Sequence, residues 1–203
     1  MEKPAQTTYP IHDLIRRRWS PRAFSDRMVE PEKLQSLFEA ARWAPSCFND
    51  QPWRFIVCTK QNPEAHARLV GCLADANVPW AKNAPVLILS VAKAAFSHND
   101  KPNRHALHDV GMAIENLIIQ AMALGLWVHQ MAGYDAAKAR QVFAIPEGYE
   151  PVAAIAIGYE GDPQNLPDPL RERELGPRSR KPLSDLVFDG CWGETSALIT
   201  RRA

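Results

Sequence analysis

Two arginine clusters stand roughly 160 positions apart in a chain of 203 residues, and both have the spacing of an anion grip. In RRRWSPRAF, Arg18, Ser20 and Arg22 alternate, so an extended backbone presents all three on one side. Guanidinium groups meet phosphate oxygens in a planar, bidentate fit, and a nearby hydroxyl adds a short hydrogen bond. In GPRSRKPL, Arg178 and Arg180 repeat the two-residue spacing around Ser179. Taken singly, each cluster also reads as solvated charge, the first as a basic turn closing a helix and the second as a linker.

Two further stretches offer uncharged groups. APSCFNDQPW sets Ser46, Cys47, Asn49 and Gln51 in a loop framed by prolines. Neutral donors and acceptors suit a heteroaromatic ring with carbonyls and ring nitrogens, where full charges are costly to bury. Cys47 has no histidine near it in sequence, which argues against a thiol nucleophile. In LWVHQMAGYD, the run Gln130, Met131, Ala132, Gly133 precedes a capped helix, leaving backbone N–H groups and small side chains for close approach of a flat ligand. An ordinary strand-to-helix turn explains the same residues.

His105 and His108 share a helix face at i, i+3 beside Asp109, but a catalytic zinc needs a third ligand and an open position. No metal site is expected. Nor is there a paired carboxylate or a triad, so no catalytic side chain is assigned.

The elements that must hold these groups follow from periodicity. Leu34, Leu37, Phe38 and Ala41 mark a helix from Pro31 to Arg42. RFIVCT is a strand, residues 62 to about 72 a helix, and VLILSVA a strand of the kind buried on both faces. The longest helix runs from Arg104 to Leu124, with Gly125 placed to end it. LWVHQM is a third strand, Asp135 caps a helix to about Phe143, and PVAAIAIGY is a fourth strand. The alternation gives an α/β or α+β plan with helices covering a sheet. One domain is expected, with a core over about 11–160 and a proline- and charge-rich arm over about 161–203 whose apolar tail, LSDLVFDGCWG, has the composition to lie on a second subunit.

The bulk numbers exclude several classes. A formal net charge of +1 gives no field for nucleic acid or an anionic membrane. Four cysteines without a C-x-x-C pair read as reduced thiols, and MEKPAQTTYP has no apolar signal core, so a soluble cytoplasmic protein is expected.

In this order, R-W-S-P-R, P-S-C-F-N-D-Q-P-W, the Gln130–Gly133 segment and R-S-R followed by K-P-L resemble the nitroreductase family of flavoproteins over about 11–193. The resemblance implies an α+β, three-layer α/β/α sandwich with an extended C-terminal arm. It also implies a domain-swapped type of homodimer that holds FMN at the subunit interface, with NAD(P)H as transient donor and a nitroaromatic or quinone as acceptor. It assigns Arg18, Ser20 and Arg22 to the phosphate and ring side of FMN, and Arg178 and Arg180 to the phosphate. Trp19 would contribute through its backbone. Ser46, Cys47, Asn49 and Gln51 would line the ring and ribityl chain from the neighbouring subunit, and Gln130, Met131, Ala132 and Gly133 would cover one face. Asn77 matches a family asparagine, but Trp80 falls where some members place a lysine. Arg22 is then expected to supply the missing charge, and Trp80 to shape the substrate pocket. Other flavin-dependent reductases of this fold, and a flavin-binding module without turnover, are the rival readings.

Overall fold

Alternating burial explains the sheet. In β2 (Val86–Lys93) every residue up to Ala92 is buried, because both faces of the strand are covered. Leu87 and Leu89 point into one apolar cluster with Leu69, Trp80 and Met131, while Val86 and Ile88 point into another with Leu37, Val110 and Leu117. β2 is therefore central, pairing antiparallel with β1 (Trp53–Thr59) on one side and β4 (Tyr149–Gly158) on the other. β3 (Trp127–Met131) pairs antiparallel with β4 at the edge, giving the order β1-β2-β4-β3. The register slips between Ser90 and Val91, opposite Pro151, which has no N–H to donate. There the Ser90 hydroxyl enters the ladder, donating to the Ala153 carbonyl at 3.0 Å and accepting its N–H at 3.1 Å.

The computed structural model describes residues 1–199. α1 (Asp13–Arg17) ends at Arg18. α2 (Pro31–Arg42) and α5 (Ala106–Ala123) cover one face of the sheet, where Leu37, Val110, Ile114 and Leu117 are almost fully buried. α3 (Pro63–Val70), α4 (Val78–Ala81) and α6 (Ala136–Val142) contribute to the other face. The result is the three-layer α+β arrangement expected from the sequence, and the helix from Pro31 to Arg42 has the expected bounds. α5 ends before Gly125, whose φ of +73° is the left-handed conformation glycine takes without penalty. Asp135 caps α6 by accepting the Lys138 N–H at 2.9 Å.

Two local expectations are corrected. The segment after Gly161 is not wholly extended: it contains α7 (Asp168–Leu175), whose charged sequence carries no apolar stripe. A buried carboxylate, Glu174, anchors this helix instead. Trp80 does not face a pocket. It is 1% exposed, with its ring 4.5 Å from that of His129 and 6.3 Å from that of Phe24. Burying so large an apolar ring outweighs any role at a surface.

Candidate functional site

The N-terminal strap and the C-terminal arm meet at one cavity of about 870 Å³. Its walls come from the N-terminal strap (Thr7, Thr8, Tyr9), from Arg18 and Ser20 after α1, and from Glu115 and Ile118 of α5. Val128 and Gln130 of β3 and Arg178, Arg180 and Leu183 of the arm complete it. A smaller basic lobe of about 210 Å³ shares Arg18, Ser20, Arg178 and Arg180 with the first and adds Lys3, Trp19 and Arg22.

Local structure explains why these groups converge. The strap is tied to α1 by the Ala5 N–H donating to the Arg16 carbonyl at 2.7 Å. The Arg178 guanidinium donates to the main-chain oxygens of Lys3 and Arg16, which brings the arm against the same strap. His129 holds the Arg18–Arg22 segment to β3 through a 2.9 Å bond between Nδ1 and the Pro21 carbonyl. The acceptor is a carbonyl, so Nδ1 carries the proton. Burial pulls the His129 pKa down to about 4, against that hydrogen bond, which keeps the ring neutral.

The electrostatics are one-sided. Among the described residues, none of Arg18, Arg178 and Arg180 forms an ion pair. Arg18 makes only a long 3.4 Å contact to the Ser20 hydroxyl. At Arg178, burial and then the like charges of Arg18 and Arg180 lower the guanidinium pKa from its ordinary value. Three cations held together with no ion-paired carboxylate make a receptor for an anion with several oxygens. Glu115 opens on the same cavity; burial raises its carboxyl pKa and Arg18 pulls it back.

Of the residues singled out in the sequence, Arg18, Ser20, Gln130, Arg178 and Arg180 thus share one cavity, with Trp19 and Arg22 at its basic lobe. The Trp19 ring itself is buried edge-on to Trp127 at 5.8 Å. Arg22 lies 3.6 Å from the Glu174 carboxylate. The other residues lie outside this cavity in the single chain. Ser46, Cys47, Asn49 and Gln51 form a loop pinned to α5 by the Cys47 N–H, which donates to Asp109 at 3.0 Å. The Ser46 hydroxyl accepts the Gln51 N–H at 3.0 Å. Phe48, Asn49 and Gln51 have φ of +54°, +53° and +51°, a costly run for residues with side chains. Asn77 donates to the Gly133 carbonyl at 2.9 Å, and a Cβ at Gly133 would meet the Asn77 amide nitrogen at 2.7 Å. Met131 is buried and Ala132 exposed.

Sequence reading missed Lys3, the Thr7–Tyr9 strap, Glu115, His129 and Glu174. Only Glu174 left a trace, as a carboxylate two residues before the glycine that opens the second arginine cluster. Among the described residues there is no group of histidine, cysteine and acidic side chains able to hold a metal ion, and no helix is long and apolar enough to cross a membrane.

Known proteins resemble this chain in sequence and fold. A crystal structure described as "the oxidoreductase containing FMN" is 37% identical, covers 94% of this chain and 96% of its own, and superposes with a TM-score of 0.88. A nitroreductase family protein from Clostridium difficile 630 is 27% identical with a TM-score of 0.69, covering 88% of this chain and 96% of its own. A protein of Stenotrophomonas maltophilia named "Putative NADH dehydrogenase/NAD(P)H nitroreductase" is 29% identical over 174 residues, 77% of this chain and 87% of that one. The model of the nitroreductase family matches residues 15–159, which span α1 through β4 and so carry both the Arg18–Arg22 segment and the sheet behind it. On that match, and with the arginine-lined cavity where the sequence motif begins, the chain belongs to the nitroreductase family.

Proposed function

We propose that the protein is an FMN-dependent oxidoreductase that uses NAD(P)H to reduce small electron-poor acceptors such as nitroaromatics or quinones. The observation that carries this reading is the convergence of Arg18, Arg178 and Arg180, none of them in an ion pair among the described residues, on one cavity of about 870 Å³. The donor set fits FMN. Three guanidinium groups and the Ser20 hydroxyl would hold its phosphate, and the apolar wall of Ile118 and Val128 beside the Gln130 amide would take its ring. When bound, FMN supplies the redox chemistry, accepting a hydride from NAD(P)H and passing it to the acceptor in alternate half-reactions.

The chain's own residues bind, orient and exclude water. Arg22 would stand on the ring side of the flavin, and the Trp19 backbone would flank the phosphate segment. Asn77, Met131, Ala132 and Gly133 would cover one face of the ring. Ser46, Cys47, Asn49 and Gln51, remote from the cavity within one chain, would reach it from a second copy in a homodimer. The strained backbone of that loop supports this reading, since such strain is retained where a precise shape is needed. No side chain is assigned as acid or base.

Purified protein mixed with FMN and freed of excess should retain about one FMN per chain and oxidise NAD(P)H when a nitroaromatic or quinone is added. Replacing Arg18 and Arg180 with alanine removes charge-assisted bonds of about 1.5–3 kcal/mol each, a loss of roughly 100-fold or more in FMN affinity. Full retention by that variant refutes the phosphate grip. Wild-type protein that takes up no FMN refutes the reading itself, and retention without turnover makes the chain a flavin-binding module.

A further inference from the structure

Glu174 is a carboxylate in an unfavourable place. It sits in the last turn of α7, where the helix dipole opposes negative charge, and it is 0% exposed. Its Oε1 accepts the N–H groups of Arg22 at 2.7 Å and Ala23 at 3.0 Å. Its Oε2 makes no hydrogen bond and faces the Arg22 guanidinium at 3.6 Å. A buried charge so held costs free energy unless its partner compensates it, and here the partner is a wall of the basic lobe.

That lobe is lined by Lys3, Arg18, Arg22, Arg173, Arg178 and Arg180. Among the described residues, Arg22 alone of these six is in an ion pair, and its partner is Glu174. Lys3 fastens the arrangement by donating to the main-chain oxygens of Glu174 and Gly176. Glu174 therefore divides the cluster. Arg18, Arg178 and Arg180 are left outside ion pairs among the described residues, while Arg22 is fixed in place and partly neutralised from behind.

Resting on the FMN reading above, we infer that Glu174 is a positioning residue of the flavin site, which holds Arg22 and offsets its charge, and so lowers the reduction potential of the bound flavin. Reduction adds negative charge to a flavin, so a cation beside it raises the potential and an anion behind that cation lowers it. Glu174→Gln keeps an oxygen for the two backbone N–H groups and removes the charge. FMN-loaded Glu174→Gln, equilibrated with reference dyes, should show a midpoint potential more positive than wild type. Arg22→Gln should show one more negative. In the Arg22→Gln background, adding Glu174→Gln should give a clearly smaller positive shift than it gives with Arg22 present, because a charge that acts by positioning Arg22 loses that part of its effect with it.

An unmoved potential in folded, FMN-loaded Glu174→Gln overturns the inference, as does a shift of the same size with and without Arg22. Should Glu174→Gln fail to fold, Arg22→Gln alone decides, and an unmoved potential there also overturns it. Wild-type protein that binds no FMN fails at the earlier step and overturns both readings, whereas an FMN-loaded protein with an unmoved potential overturns this one alone.

Discussion

At the scale of the residue, His129 illustrates how a half-buried side chain serves a site it does not line. Its imidazole is packed against Trp80 and spends its Nδ1 proton on the Pro21 carbonyl, in the middle of the Arg18–Arg22 segment. Because its folded pKa is about 4, below the ordinary histidine value of 6.5, the unfolded chain binds the extra proton first as pH falls. The stability this residue contributes is complete above about pH 6.5 and is lost as the pH drops toward 4. His66, buried and bonded to the Ala84 carbonyl at 2.9 Å, is shifted in the same direction by burial. Urea unfolding should give a stability about 2 kcal/mol lower at pH 5 than at pH 7 from His129 alone. His129→Gln should flatten that slope; an unchanged slope would assign the pH dependence elsewhere.

At the scale of the element, the segment that carries Arg18 to Phe24 runs back along the end of β4. Phe24 bridges Glu160, and the Gly161 N–H donates to the Ala23 carbonyl at 2.9 Å. The approach is so close that a Cβ on Gly161 would lie 2.5 Å from the Phe24 carbonyl carbon and 2.6 Å from its oxygen. Backbone cannot swing aside as a side chain can. Gly161→Ala should destabilise the fold by roughly 1–3 kcal/mol, seen as a lower urea midpoint, and loosen the arginine segment with it. Wild-type stability in that variant would show that the segment is free to move.

The same contrast explains what could be read in advance. α2, α3 and α5 announce themselves through apolar spacing, the strands through short apolar runs, and α6 through its Asp135 cap. α7 does not, because its hold on the core is one carboxylate accepting two backbone N–H groups, a contact with no sequence period. Trp80 misled for a related reason: a match to a family position says nothing of burial. For the cavity, residue type and spacing singled out Arg18, Ser20, Arg178 and Arg180, because guanidinium and hydroxyl groups are those that suit an anion. The Thr7–Tyr9 strap stayed hidden because its residues carry no charge and no motif.

At the scale of the whole molecule, the arm leaves apolar surface uncovered. Trp192 is 91% exposed, Leu198 87% and Leu186 57%. A proposed second copy would cover these side chains and bring its Ser46–Gln51 loop to the cavity. Sedimentation should then give twice the mass of the chain, and Trp192→Ser with Leu198→Ser should shift the equilibrium toward monomer and weaken FMN retention together. A monomeric wild-type protein with full FMN occupancy would count against the interface.

The meeting of Arg18 and Arg178 on one cavity has a consequence for how the protein comes into being. Synthesis runs from one to the other through every strand of the sheet, and at about 5–20 residues per second the interval is roughly 8–30 s. During that time the sheet and its helices can assemble, but the cavity lacks two of its three unpaired arginines. The sheet can therefore form before the cavity is able to grip an anion, and capture of the proposed cofactor would be one of the last events in the maturation of the chain.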